Sequence, residues 1–118
     1  PILSIFASIP RTVPIAVSMM ERHPLGSQAF MPLSDDDWLV VVAPTNADDS
    51  APNFDGLRCF HARGDQGVSY APNVWHHPLL VRQPQDFLIA DRAGPDGEVD
   101  SANLQEHWED MPVAVIKL

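Results

Sequence analysis

Basic residues are scarce in this sequence. Seven Lys and Arg stand against sixteen Asp and Glu, a formal net charge of −9 over 118 residues, and the sole lysine is Lys117. Phosphate backbones and anionic membranes are held by clustered positive charge, so the composition argues against nucleic acid and membrane as partners. Cysteine is nearly absent as well. Cys59 alone allows neither an intrachain disulfide nor a four-thiolate zinc site, and its place between Arg58 and Phe60 predicts a buried core thiol. The longest apolar run, WLVVVA at Trp38–Ala43, falls far short of the ~18 residues of a spanning helix. The opening PILSIFASIP lacks the basic leader of a signal peptide, which points to a cytoplasmic protein. A glycine-rich phosphate loop, a nucleophile elbow and an H-E-x-x-H helix are all missing.

Proline, by contrast, is abundant. Twelve of them interrupt the chain, and each costs a helix interior about 3 kcal/mol. Long helices have almost nowhere to form. The segments between breakers are short and rich in β-formers: Ile2–Phe6, Val13–Met19, Gln28–Met31, Trp38–Ala43, Leu57–His61, Gly67–Tyr70, Leu79–Val81, Phe87–Ala90 and Val113–Lys117. Val13, Ile15, Val17 and Met19 recur with period two, the mark of a half-buried strand. WLVVVA reads as a central strand covered on both faces. Short strands at this spacing predict an all-β sandwich or barrel in one domain spanning 1–118. One short helix is expected over residues 101–111, capped by Ser101 and supported by Leu104 against Trp108. Pro44 to Gly56 is the main loop.

Two polar clusters stand out against the apolar strands. In the first, Glu21 and His23 are two apart and share a strand face; Pro24 and Gly26 turn the chain, and Gln28 opens the next strand facing the same hollow. In the second, a Pro72-Asn73 turn precedes His76 and His77, one on each face, and either imidazole can complete the set. Burying such groups without partners costs several kcal/mol, so their convergence implies a polar pocket inside the barrel.

The runs ERHPLGSQAFMPL, QGVSYAPNVWHHPLL and DFLIADRAG resemble the ureidoglycolate lyase (formerly ureidoglycolate hydrolase) family of the cupin superfamily, over most of Ser4 to Gly94. The resemblance implies a double-stranded β-helix, the cupin barrel, in a chain that lacks an N-terminal portion of the full-length protein. It also implies cleavage of (S)-ureidoglycolate to glyoxylate and urea in allantoin and purine breakdown, by a cytoplasmic homodimer with a divalent metal, nickel among those named. Laid on the generic cupin pattern, Glu21 stands at the first His, His23 at the second, Gln28 at the Glu and His76 at the last His. Two of these four depart from the usual ligands, so the four either bind a metal or hold substrate directly in a metal-free enzyme.

Breaking the C–N bond of ureidoglycolate needs a base for the hydroxyl proton and an acid for the departing nitrogen. Glu21 and His76 are assigned to that exchange, in either order, with His23 and Gln28 orienting the metal or substrate. Arg92 is a candidate for the substrate carboxylate and Tyr70 for a substrate-contacting wall residue. Arg22 is a weaker carboxylate candidate because it alternates away from Glu21 and His23. His77 is read as structural or interfacial. Two competing functions remain: an amidohydrolase that releases ammonia, and a cupin that binds a small molecule without turnover.

Overall fold

The computed structural model describes residues 2–92 and 106–117. Ten strands follow one another: β1 (Ile2–Ser8), β2 (Ile15–Arg22), β3 (Gln28–Pro32), β4 (Trp38–Ala43), β5 (Arg58–Ala62), β6 (Val68–Tyr70), β7 (Trp75–His76), β8 (Leu80–Val81), β9 (Gln85–Asp91) and β10 (Glu106–Ile116). Among the described residues one 3-10 turn, Phe54–Gly56, lies in the long loop and is started by the Asn53 side chain accepting from the Asp55 amide. The strands form two antiparallel sheets, one ordered β1-β9-β3-β6 and the other β10-β2-β7-β4-β5, with β8 also on β4. This is the all-β architecture expected from the proline spacing, and it is cupin-like, as the family resemblance implies.

Two apolar clusters hold the sheets. Phe30, Tyr70, Phe87 and Ile89 of the first sheet meet Trp38, Val40, Ala62 and Val81 of the second, closing the space between them. Behind the second sheet, Ile15, Val17, Met20, Leu39, Val41, Ala43, Trp75, Leu80 and Ile116 pack together with Phe54, Leu57 and Trp108 against them. WLVVVA therefore serves both clusters, with Trp38 and Val40 on one face and Leu39, Val41 and Ala43 on the other. A continuously apolar strand is the sequence expected there.

Three local expectations are corrected. The helix over 101–111 is not formed: residues 106–111 belong to β10, which pairs with β2 from Glu106↔Arg22 to Glu109↔Met19, while 101–105 fall outside the described residues. A short helix with one i,i+4 contact is marginal in water, whereas the strand gains a ladder and sets Trp108 against Phe54, ring centroids 4.6 Å apart. Cys59 is exposed, because β5 pairs only with β4 and forms the sheet edge, with Arg58–His61 all exposed. The alternation in β2 also changes phase. Ile15 and Val17 are buried, but the next core residue is Met20 rather than Met19. The shift falls where the β2–β10 ladder is interrupted, between Glu109↔Met19 and Ala114↔Val17, as a β-bulge permits.

Candidate active site

The phase shift in β2 decides which side chains enter the interior. With Met20 in the rear cluster, Arg22 follows it to that side, and Glu21 and His23 turn to the space between the sheets. Glu21 lies directly opposite His76 on the neighbouring β7, so both side chains leave the ladder on one face. The His76 Nε2 and Glu21 Oε1 atoms are 3.6 Å apart, with His76 1% and Glu21 13% exposed. His76 Nδ1 is 2.9 Å from the Val74 carbonyl. Only a protonated nitrogen can donate to a carbonyl, so the neutral ring carries its proton on Nδ1 and keeps an Nε2 lone pair toward Glu21.

The other sheet supplies the opposite wall. Gln28 on β3 is in register with Tyr70 on β6. Tyr70 lies against His76, and His23 stands 5.5 Å from His76, ring centroid to ring centroid. The His23 carbonyl accepts from the Asn73 amide at 2.9 Å. Asn73 adopts φ 69°, a left-handed conformation that Asn tolerates better than most residues. The short turn after Tyr70 thus fixes the His23 backbone and, through Val74, the His76 ring.

Glu21, His23 and His76 offer ligand atoms that all lie within 4.8 Å of one another. Four buried polar atoms here have no hydrogen-bond partner among the described residues: both ring nitrogens of His23, Nε2 of His76 and Oε1 of Gln28. Unsatisfied buried groups are costly and rare in folded proteins, and four of them so close together suit a polar ligand or an ion. The His23 imidazole is pushed below its ordinary pKa, chiefly by burial and then by His76, with Glu21, Asp91 and Gln28 acting in the opposite direction. It is therefore held in the neutral form that a metal ligand requires. Tyr70 is raised well above its ordinary value by burial and by Glu21, so its hydroxyl stays protonated.

A cavity of about 230 Å³ adjoins this group, lined by Phe6, Glu21, Gln28, Phe30, Pro78, Leu79 and Ile89. A larger hollow of about 570 Å³ at the β5 and β6 edges is bordered by Tyr70 and mostly apolar residues such as Val40, Val42 and Val74. Of the convergent residues, Glu21 and Gln28 line the smaller one.

Of the residues expected from the sequence, Glu21, His23, Gln28, Tyr70 and His76 come together. Arg92 is exposed just past the end of β9. Arg22 is buried on the far face, paired with Asp49. His77 is buried, with Nδ1 donating to the Pro78 carbonyl at 2.8 Å. His61 is exposed and pairs with Asp37 at 3.0 Å. Asp91 is not among the residues singled out from the sequence. It is 7% exposed, its charge acts on His23, and it lies two residues beyond Ile89 on the interior face. That period-two relation to Phe87 and Ile89 was the available signal.

The family model described as ureidoglycolate lyase matches residues 1–116. The chain is 46% identical over 107 residues to a ureidoglycolate lyase of Burkholderia mallei (strain NCTC 10229), covering 90% of this chain and 61% of that protein. It is 49% identical over 115 residues to one of Agrobacterium fabrum (97% and 64%), and 47% identical over 106 residues to ureidoglycolate lyase 1 of Rhizobium meliloti (89% and 60%). The chain thus spans about three-fifths of the length of the curated relatives it matches. With a match along nearly its whole length and a hollow lined by the motif residues, this chain belongs to the ureidoglycolate lyase family.

Proposed function

We propose that this chain holds the reaction centre of an enzyme that cleaves (S)-ureidoglycolate into glyoxylate and urea. The observation that carries the reading is the convergence of Glu21, His23 and His76 beside a hollow of about 230 Å³, a size suited to a small polar acid. The substrate's carbinol carbon bears a hydroxyl, a carboxylate and the ureido nitrogen. Its O–H bond breaks as C=O forms, the C–N bond breaks, and urea leaves with the proton on its nitrogen. No proton is gained or lost overall, so a carrier that accepts the hydroxyl proton and returns it to the leaving nitrogen suffices.

The Glu21–His76 pair is that carrier. One Glu21 oxygen takes the hydroxyl proton, and His76 Nε2, whose lone pair faces that carboxylate, can accept it in turn, so that the proton is kept beside the departing nitrogen and returned to it. The Val74 carbonyl accepts from His76 Nδ1 and favours one ring orientation. Gln28 presents Oε1 to the same space and orients the ureido N–H groups.

The donor set also fits a divalent metal: two imidazoles, one carboxylate and an amide oxygen, with four orphaned atoms among His23, His76 and Gln28. His23, His76 and Glu21 would hold such an ion, with Gln28 as a further donor. Bound there, it would lower the pKa of the substrate hydroxyl. Nickel is the metal that the family resemblance names.

The same reading makes the protein a cytoplasmic homodimer acting late in allantoin and purine breakdown. Self-association is supported by an exposed apolar row on the outer face of the β1-β9-β3 sheet, where Ile5 and Met31 both stand opposite Leu88. The decisive experiment is a product assay on (S)-ureidoglycolate. Equal amounts of urea and glyoxylate are expected; ammonia would move the assignment to an amidohydrolase, and ligand-dependent stabilisation without turnover would make the protein a binding module.

A further inference from the structure

His76 rides on a strand of two residues, and the two ladders that hold it are short. β7 pairs with β2 through Glu21↔His76 and with β4 through Val42↔His76 and Ala43↔Trp75. So small an element does not by itself fix an imidazole to the tolerance that proton transfer demands. What stiffens it lies on the reverse of the sheet. Trp75 alternates away from His76 into the rear cluster and is 1% exposed. The Arg22 guanidinium lies over its ring, 4.4 Å from the centroid.

The same guanidinium closes a second contact. Arg22 Nη1 donates to Asp49 Oδ1 at 2.6 Å and Nη2 to the Asp49 carbonyl at 2.9 Å. The Thr45 hydroxyl donates to that Oδ1 at 2.9 Å. Asp49 itself sits at φ 59°, a conformation unfavourable for most residues and retained when surrounding contacts enforce it. Arg22 and Asp49 are 27 residues apart in the chain, so the fork ties the long loop to β2 while its flat face presses on Trp75. A guanidinium can stack and form two directed hydrogen bonds at once; an ammonium cannot.

We propose that Arg22 is a positioning residue for the reaction centre: clamped between Asp49 and Trp75, it locks β7 against β2 from behind and so holds His76 opposite Glu21. Front and back of one two-strand ladder thus divide the labour, Glu21 and His76 for chemistry, Arg22 and Trp75 for rigidity. The inference rests on the proposed reaction only in taking His76 and Glu21 as a working pair.

The test compares Arg22→Gln, Arg22→Lys and Asp49→Asn with the unaltered chain, in two measurements. In steady-state cleavage of ureidoglycolate, kcat falls at least about tenfold while KM stays within about threefold, as expected for misplacement of a reacting group. Arg22→Lys resembles Arg22→Gln, and the Arg22→Gln/Asp49→Asn double variant is no worse than the poorer single one. In nitrogen-15 spectra of the imidazoles, His76 shows one tautomer with the proton on Nδ1 in the unaltered chain and a mixture in the variants. A folded variant whose His76 resonances match the unaltered chain overturns the proposal, as does full kcat. Asp49, whose side chain is 60% exposed, supplies the variant that still folds if loss of buried Arg22 does not permit it. Should the unaltered chain leave ureidoglycolate intact, the substrate reading falls while the His76 spectra still decide the role of Arg22.

Discussion

Tyr70 lies flat on His76, with ring centroids 4.0 Å apart and planes 8° from parallel. The phenol face closes one side of the imidazole and leaves the ring edge, with Nε2, as the working surface. Phe in place of Tyr70 keeps that stack, and Ala removes it. Tyr70→Phe is therefore expected to hold kcat within a few-fold of the unaltered chain. Tyr70→Ala is expected to lose stability by about 3 kcal/mol, the usual cost of emptying a buried aromatic position, and to lose tenfold or more in kcat. Chemical denaturation beside the urea-release assay checks both. A large loss in Tyr70→Phe would instead show that the hydroxyl touches substrate.

Removal of either partner of the proton carrier should abolish turnover while leaving the fold. For His76→Ala and Glu21→Gln we expect kcat to drop by about 10²–10⁴, the range for a positioned acid–base group. Circular dichroism and urea release on the same preparations separate unfolding from chemistry. Unchanged turnover in folded His76→Ala would remove that residue from the mechanism.

Metal binding should appear as stability. A nickel concentration 100 times the dissociation constant stabilises the native state by about 2.7 kcal/mol, readable as a rise in Tm. His23→Ala should lose that rise. Asp91→Asn should weaken binding by about tenfold, as loss of a supporting carboxylate near a ligand histidine does. Thermal scans with and without nickel, followed by metal analysis of dialysed protein, provide the check. An equal rise in His23→Ala would place the ion elsewhere.

Folding should favour the neutral forms of two histidines. His23 is depressed below its ordinary pKa mainly by burial, and His77 likewise, with the Pro78 carbonyl partly opposing. A histidine whose folded pKa is lowered takes up its proton more readily when unfolded. Its contribution is full above the unfolded value of about 6.5 and is lost as pH falls from there through the folded value. Tm should therefore decline between pH 7 and pH 5, and the decline should be shallower in His77→Gln, which leaves the reaction centre intact. A Tm independent of pH over that interval would contradict the burial of both rings.

The fold class was written in the spacing of proline and in WLVVVA, whose six apolar positions demand cover on both faces. The site was legible because Glu21, His23, Gln28 and His76 are polar groups where strands should bury apolar ones. What escaped reading depends on long-range pairing. Nothing local marks Trp75–His76 as the strand between β2 and β4. Whether Cys59 is covered depends on β5 being an edge, which is a property of strand order. The segment 101–111 carries a plausible helix start at Ser101, yet over 106–111 pairing with β2 outweighs propensity. The step from Val17 to Met20 was hidden for the same reason: alternation is a local rule, and the partner strand breaks it.

That step has a consequence for how the chain tolerates length changes. Because the out-of-phase residue in β2 precedes Glu21, deleting one position between Val17 and Met20 would exchange the two sides of everything downstream in that strand. Arg22 would then confront the cavity, and Glu21 would be driven among Val41, Leu39 and Trp75. Restoring a residue one turn of the pleat later would rescue the hydrophobic seal but not the reagents. The register of one irregular β-strand thus separates a reaction centre from an inert wall, although the two contain the same amino acids.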